Sequence, residues 1–232
     1  MASRVAVVMP TIPRRAESAL ATIERLMPQC DQLYVHLDGY PATPSWMPAS
    51  VRCFVHPQAR GPTVRFSVVP DEKYVLFVDD DLQHPPDYVK QAIRALKRLG
   101  PRTAIAYHAA WWPREALPQY RLRKLVAYWD ASAEDQAVTY VGSGTLAIRR
   151  ADLSDVDRSI PDQFRFEDDV WISGALARAG IRCMRPKSPK DWIRSTTTGS
   201  RGLWNDAAKD GFKKRDACVA AVLAMGNWKL TR

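Results

Sequence analysis

No apolar stretch in the 232-residue sequence approaches the roughly 18–20 residues needed to cross a bilayer, so no membrane-spanning helix is expected. The opening MASRVAVVMPTIPRR lacks an unbroken apolar core, because Pro10 and Pro13 interrupt it. It therefore does not read as a signal peptide, and a cytosolic location is expected. Cysteine is scarce: Cys30, Cys53, Cys183 and Cys218 lie far apart, with no C-x-x-C pair and no histidine at zinc spacing. Buried free thiols are the reading, since an unpaired Cys packs as a small hydrophobe. Internal repeats and low-complexity tracts are also missing. Hydrophobic residues make up 46% and charged residues 25%, which excludes global disorder and fits one α/β domain with a long tail.

Acidic residues are short in one place only. The last 55 residues hold 13 Lys/Arg against 4 Asp/Glu, whereas residues 1–177 hold 21 of each, so the whole net charge of +9 sits at the C-terminal end. Such an end suits a diphosphate, a nucleic acid or an acidic membrane surface, or is simply a solvated face. The cations available to a polyanion are Lys187, Lys190, Arg194, Arg201, Lys213, Lys214 and Arg215.

Hydrophobic patterning predicts a strand over 4–9, a helix over 16–27 and a strand over 32–37, a βαβ unit that favours a parallel sheet. A proline-rich loop over 40–50 is followed by a strand at 51–55 and a helix near 63–69. The clearest buried strand is YVLFV at 74–78. A helix over 87–99, strands at 103–107, 138–141 and 146–149, and a helix over 167–179 capped by Gly180 complete the α/β pattern. Residues 206–225 read as one closing helix.

Asp79, Asp80 and Asp81 follow YVLFV directly. Three adjacent carboxylates resist burial, so they are expected to emerge at the carboxyl edge of the sheet, where open α/β folds bind ligands. A hard divalent cation relieves their repulsion and takes carboxylate oxygens together with substrate phosphates; a solvated turn is the alternative. Glu167, Asp168 and Asp169 open a predicted helix, where they serve as caps or as a proton-accepting base. Gly142 and Gly144 flank Ser143 and allow close backbone approach or a plain turn. Trp111, Trp112 and Trp204 are candidates for stacking on a sugar or base.

VLFVDDD resembles the Asp-x-Asp motif of GT-A glycosyltransferases, and its DDD form is similar to that of exostosin-like enzymes. VAVVMPTIPRR resembles their nucleotide-binding start, YVGSGTLAIRR their acceptor-side loop, and FEDDVWISGALARAG the acidic motif that opens the helix bearing the catalytic carboxylate. The resemblance spans roughly residues 4–185. It implies a GT-A (Rossmann-like) mixed, mostly parallel sheet flanked by helices, over 1–185, with a basic C-terminal loop and helix over 186–232 packed on the same domain. By the same resemblance Pro10, Thr11, Arg14 and Arg15, with Asp38, Arg65, Asp79 and Asp80, contact the nucleotide-sugar donor, a UDP-sugar. Asp81 and Asp79 hold Mn²⁺ or Mg²⁺, and Asp168 is the base, with Asp169 or Glu167 behind it. Relatives often carry a third metal ligand late in the domain. The four histidines all lie earlier, which leaves Asp191 as the substitute.

Glycosyl transfer with inversion is the function implied. Nucleotidyl transfer lacks its glycine-rich phosphate loop here, and a non-catalytic nucleic-acid-binding module leaves the carboxylate clusters without a role. The basic end favours a nucleic-acid acceptor, such as DNA with hydroxylated bases in a phage-infected bacterial cytosol; a carbohydrate or lipid-linked acceptor is the alternative.

Overall fold

The computed structural model describes residues 4–116, 118–196 and 207–228. Among the described residues thirteen strands form three sheets. In chain order they are β1 (Val5–Thr11), β2 (Gln32–Asp38), β3 (Arg52–His56), β4 (Tyr74–Val78), β5 (Leu82–Gln83), β6 (Thr103–Ala106) and β7 (Ala109–Trp111). There follow β8 (Lys124–Val126), β9 (Gln136–Val138), β10 (Tyr140–Val141), β11 (Thr145–Arg149), β12 (Arg182–Arg185) and β13 (Arg194–Ser195). The large sheet has the order β3-β2-β1-β4-β11-β6-β12-β9. Its first four strands are parallel, β11 runs antiparallel to both neighbours, β12 is parallel to β6, and β9 is an antiparallel edge. The sheet is thus mixed and mostly parallel, as the sequence predicts.

The helices are α1 (Ala16–Leu26), α2 (Tyr88–Leu99), the short α3 (Arg150–Leu153), α4 (Asp168–Arg178) and α5 (Lys213–Ala224). Strand side chains alternate between faces, and the core divides accordingly. Val5, Val7, Met9 and Leu76 pack with Ile23 of α1 and Leu96 of α2, while Ala6, Val8, Phe77 and Ile148 pack with Ile172 and Leu176 of α4. Among the described residues no helix is long and apolar enough to cross a membrane.

Three predicted elements differ. The helix near 63–69 is a single 3-10 turn, Pro62–Phe66; its Arg65 and Ser67 side chains bond the carbonyls of Pro62 and Val64, competing with a longer helix. The strand over 138–141 is divided: Val138 ends β9 in the large sheet, and Tyr140–Val141 pairs with β7 in a three-stranded sheet of order β10-β7-β8. The closing helix is interrupted: 207–209 is helical, and α5 starts anew at Lys213, because Gly211 and Phe212 both take left-handed φ, +68° and +66°. Phe212 sustains that backbone because its ring is buried and stacked on Tyr120.

Helix α5 packs on α4, and Cys218, Val219 and Val222 share a cluster with Trp112, Tyr140 and Trp171. The contact needs Gly174, since a Cβ there would lie 2.0 Å from Val222 Cγ1. Gly174→Ala should destabilise the fold by about 1–3 kcal/mol, the usual effect of overpacking. The better helix propensity of Ala offsets about 1 kcal/mol of that. A lowering of Tm by a few degrees is therefore expected in a calorimetric scan; an unchanged or raised Tm would contradict the close helix contact.

Candidate active site

A pocket of about 500 Å³ opens at the carboxyl ends of β1, β2 and β4. It brings together every residue that the sequence nominates for donor, metal or base except Asp191. Pro10, Thr11, Arg14 and Arg15 form one wall, Asp38 and Arg65 a second, and the triplet Asp79, Asp80 and Asp81 the floor. Glu167, Asp168 and Asp169 close the far side.

The triplet is not uniformly exposed. Asp80 is buried, contrary to the expectation for three adjacent carboxylates; Arg15 Nη1 donates to its Oδ1 at 2.7 Å and lies 3.1 Å from Asp81 Oδ2. Helix α1 anchors the turn through Thr22 Oγ1, which donates to the Asp80 carbonyl. Burial pushes the Asp80 carboxyl above its ordinary range, against the pull of Arg15. Asp81 is pushed up to about 6 by burial and by the charge of Asp79. Asp79 and Asp81 remain part-exposed.

Arg65 lies at the centre, fully buried. Its Nη2 donates to Asp79 Oδ1 at 2.7 Å and its Nε lies 3.5 Å from Asp168 Oδ2, so one guanidinium joins the two acidic groups. Burial opposes its charge, and the two carboxylates more than offset that.

Ser143 performs the matching task on the other side. Its Oγ donates to Asp168 Oδ2 at 2.7 Å and its backbone N–H to Asp169 Oδ1, also at 2.7 Å. Tyr140 donates to Asp169 Oδ2 at 2.8 Å. These neighbours drive the two buried carboxyls apart. Burial and the charge of Asp169 push Asp168 up to about 7. For Asp169 burial is outweighed by the Ser143 and Tyr140 hydrogen bonds, which hold it below its ordinary value. Burial likewise pushes Glu167 up to about 7, although Arg215 Nε stands 2.9 Å from its Oε2.

The neighbouring glycines make room inside the protein. A Cβ on Gly144 would fall 1.9 Å from Asp79 Oδ2, and one on Gly142 2.9 Å from the His108 ring. Asp38 lines the pocket while accepting the backbone N–H groups of Arg60 and Gly61 at 2.7 and 2.9 Å, so it also holds the 57–61 loop.

The structure corrects the sequence expectations for Arg215, Trp112 and Asp191. Arg215 is not a surface cation: it is buried, bonded to Glu167 and to the Tyr120 hydroxyl, and it faces the pocket. Trp112 is a core residue, its Nε1 donating to the Gln119 carbonyl and its ring edge-on to Tyr140 and Trp228. Asp191 lines a separate cleft with Lys190 and Arg194 and not the pocket that holds the triplet. None of the four histidines lines the pocket. Trp111 is half-buried and does not line it either, while Trp204 and Arg201 fall outside the described residues. Tyr120, Tyr128 and Phe166 also line the pocket. They went unnominated because single aromatics in loops carry no periodic signal.

No family model matches the chain, and no curated protein matches its sequence. Its fold is nonetheless shared with solved structures. A mannosyltransferase from Pyrobaculum calidifontis, solved with GDP-Man and Mn²⁺, superposes with a TM-score of 0.52 at 15% identity, over 96% of this chain and 74% of that one. A mycobacterial protein gives 0.56 at 17% identity, over 96% and 74%. TarS of S. aureus gives 0.52 at 16% identity over 84% of this chain, which spans only 37% of TarS. The likeness is one of fold: a mixed, mostly parallel sheet flanked by helices, of the GT-A kind found among glycosyltransferases.

Proposed function

We propose that the chain is a metal-dependent glycosyltransferase that moves a sugar, with inversion, from a nucleotide-sugar donor to an acceptor hydroxyl. The observation that carries this reading is the bridge made by Arg65. It couples an acidic group at a strand end to a second acidic group at a helix start, within one pocket at the carboxyl edge of the sheet.

Asp79 and Asp81 suit a hard divalent cation, Mn²⁺ or Mg²⁺. They are part-exposed oxygen donors crowded enough to raise the Asp81 pKa. Among the described residues no third carboxylate, His or Cys completes a protein cage; phosphates and water would supply the remaining positions. The cation would neutralise charge on the departing nucleoside diphosphate. Arg14, exposed on the wall, suits an oxyanion, whereas Arg15 is already held by Asp80 and Asp81. Pro10, Thr11 and Asp38 form the wall assigned to the nucleoside, a UDP-sugar by the sequence resemblance.

Asp168 is the group placed to take a proton. Its value near 7 suits a base working at neutral pH, and the acceptor oxygen it deprotonates attacks the anomeric carbon as the diphosphate leaves. Asp169 stays charged and holds Ser143, which in turn orients Asp168. The chain thus separates two adjacent carboxyls into a base and an orienting charge.

Isothermal titration of a nucleotide-sugar panel tests the donor side. Binding is expected in Mn²⁺ and lost in EDTA, with Arg65→Gln weakening it; binding of no nucleotide sugar in either condition would remove the transferase reading.

A further inference from the structure

The C-terminal charge excess is only partly accounted for by the pocket, which absorbs Arg215. Lys187, Lys190 and Arg194 lie elsewhere. Lys187 lines a cleft of about 460 Å³ with Arg98, and Lys190 and Arg194 line one of about 350 Å³ with Arg25. Neither cleft shares a residue with the catalytic pocket. Both are lined by Trp192 and Pro189, so Trp192 stands between them.

Three features make this a binding groove rather than a solvated face. First, its charge is unbalanced: among the described residues no carboxylate pairs with the side chains of Arg25, Lys187, Lys190 or Arg194; Asp87 and Asp191 line the walls, and Asp135 beside them accepts the Lys187 backbone N–H at 3.0 Å and pairs with Arg98. Arg98 is the exception, held by Asp135 at 2.8 Å. Second, Trp192 is a rigid platform. It is half-buried, backed by Tyr107 at 4.9 Å and Tyr88 at 5.9 Å between ring centroids. Third, the groove adjoins the reacting centre. β13 pairs with β5, which follows Asp81, and the Thr196 N–H donates to the Asp81 carbonyl. Along β5, Leu82 lines the catalytic pocket and Gln83 the smaller cleft.

We infer that this groove holds a single strand of nucleic acid, its phosphates on the cations and a base stacked on Trp192, and so forms the acceptor-binding surface. A flat aromatic face set among cations is how proteins hold single strands, because every base has a π-face and every linkage a phosphate. A duplex would keep its bases from Trp192. The acceptor role rests on the transferase reading above; binding in the groove does not.

Fluorescence anisotropy of a labelled twelve-nucleotide DNA strand, with the full chain and without donor or metal, tests the inference. Binding is expected at low salt, weakening steeply as salt rises. Combining Lys187→Gln, Lys190→Gln and Arg194→Gln should reduce the log–log salt slope by about two, at roughly 0.7 per phosphate. Trp192→Leu should weaken binding roughly five- to 150-fold with the slope unchanged, the range for one stacked base. Should Trp192→Leu melt early, the surface triple variant still decides the matter.

No binding at low salt would overturn the inference. So would equal weakening by Lys213→Gln with Lys214→Gln, exposed cations outside the groove, since that pattern means diffuse attraction. Polyphosphate competing as well as DNA, charge for charge, would overturn the base-stacking assignment in favour of a polyanion without bases. Loss of strand binding with donor turnover intact sinks this inference alone; strand binding without any donor turnover sinks the transferase reading instead.

Discussion

Asp168→Asn is expected to lower turnover by roughly a hundredfold or more, the scale for loss of a general base, while donor affinity stays nearly unchanged. The substitution keeps the shape of the side chain and its bond from Ser143 Oγ but removes the lone pair that accepts the proton. The pH profile separates this from structural damage. Asp168 is pushed up to about 7, and a base acts only when deprotonated, so kcat/KM should rise with pH through about 7 and then level. The Ser143 hydroxyl stabilises the charged form of Asp168, so Ser143→Ala should move that limb to higher pH. A limb that does not move would deny Ser143 this part. If Asp169→Asn abolishes turnover in this way and Asp168→Asn does not, the base lies one residue further along α4.

The second large effect is on the donor side. EDTA should abolish turnover, and Asp81→Asn should do the same, while the thermal transition stays close to that of the wild type. Asp81 is part-exposed at a strand end and among the described residues its only ion pair is to Arg15, which Asp80 also holds, so removing its charge leaves no buried cation stranded. Arg65 differs. Buried between Asp79 and Asp168, it would leave two carboxylates facing each other if removed, so its loss should lower stability as well as binding. Full activity of Asp81→Asn in EDTA would end the assignment of the acidic triplet to a cation.

Much of this was legible in the sequence because it is local. The run YVLFV before three aspartates announces a buried strand ending in ligand-facing groups, and MPTIPRR and FEDDVW place their charges at element ends in the same way. The structure gathers these segments into one pocket because parallel strands present their carboxyl ends on a common edge. What the sequence hid is the pairing across distance. Nothing in the local pattern says that Arg65 reaches Asp168, or that Arg215 turns inward to Glu167 instead of joining Lys213 and Lys214 outside. The burial of Asp80 was missed for the same reason, since its partner Arg15 lies 65 residues earlier. Left-handed Phe212 broke the closing helix against its propensity, because burying the ring on Tyr120 outweighs the backbone strain.

The measurement that bears most directly on the central claim is release of nucleoside diphosphate from a panel of nucleotide sugars without acceptor, in Mn²⁺, in Mg²⁺ and in EDTA. Hydrolysis of at least one donor is expected, dependent on the metal and abolished by Asp81→Asn. Absence of hydrolysis across the panel in both metals, or hydrolysis that persists undiminished in EDTA, would contradict a metal-dependent glycosyltransferase.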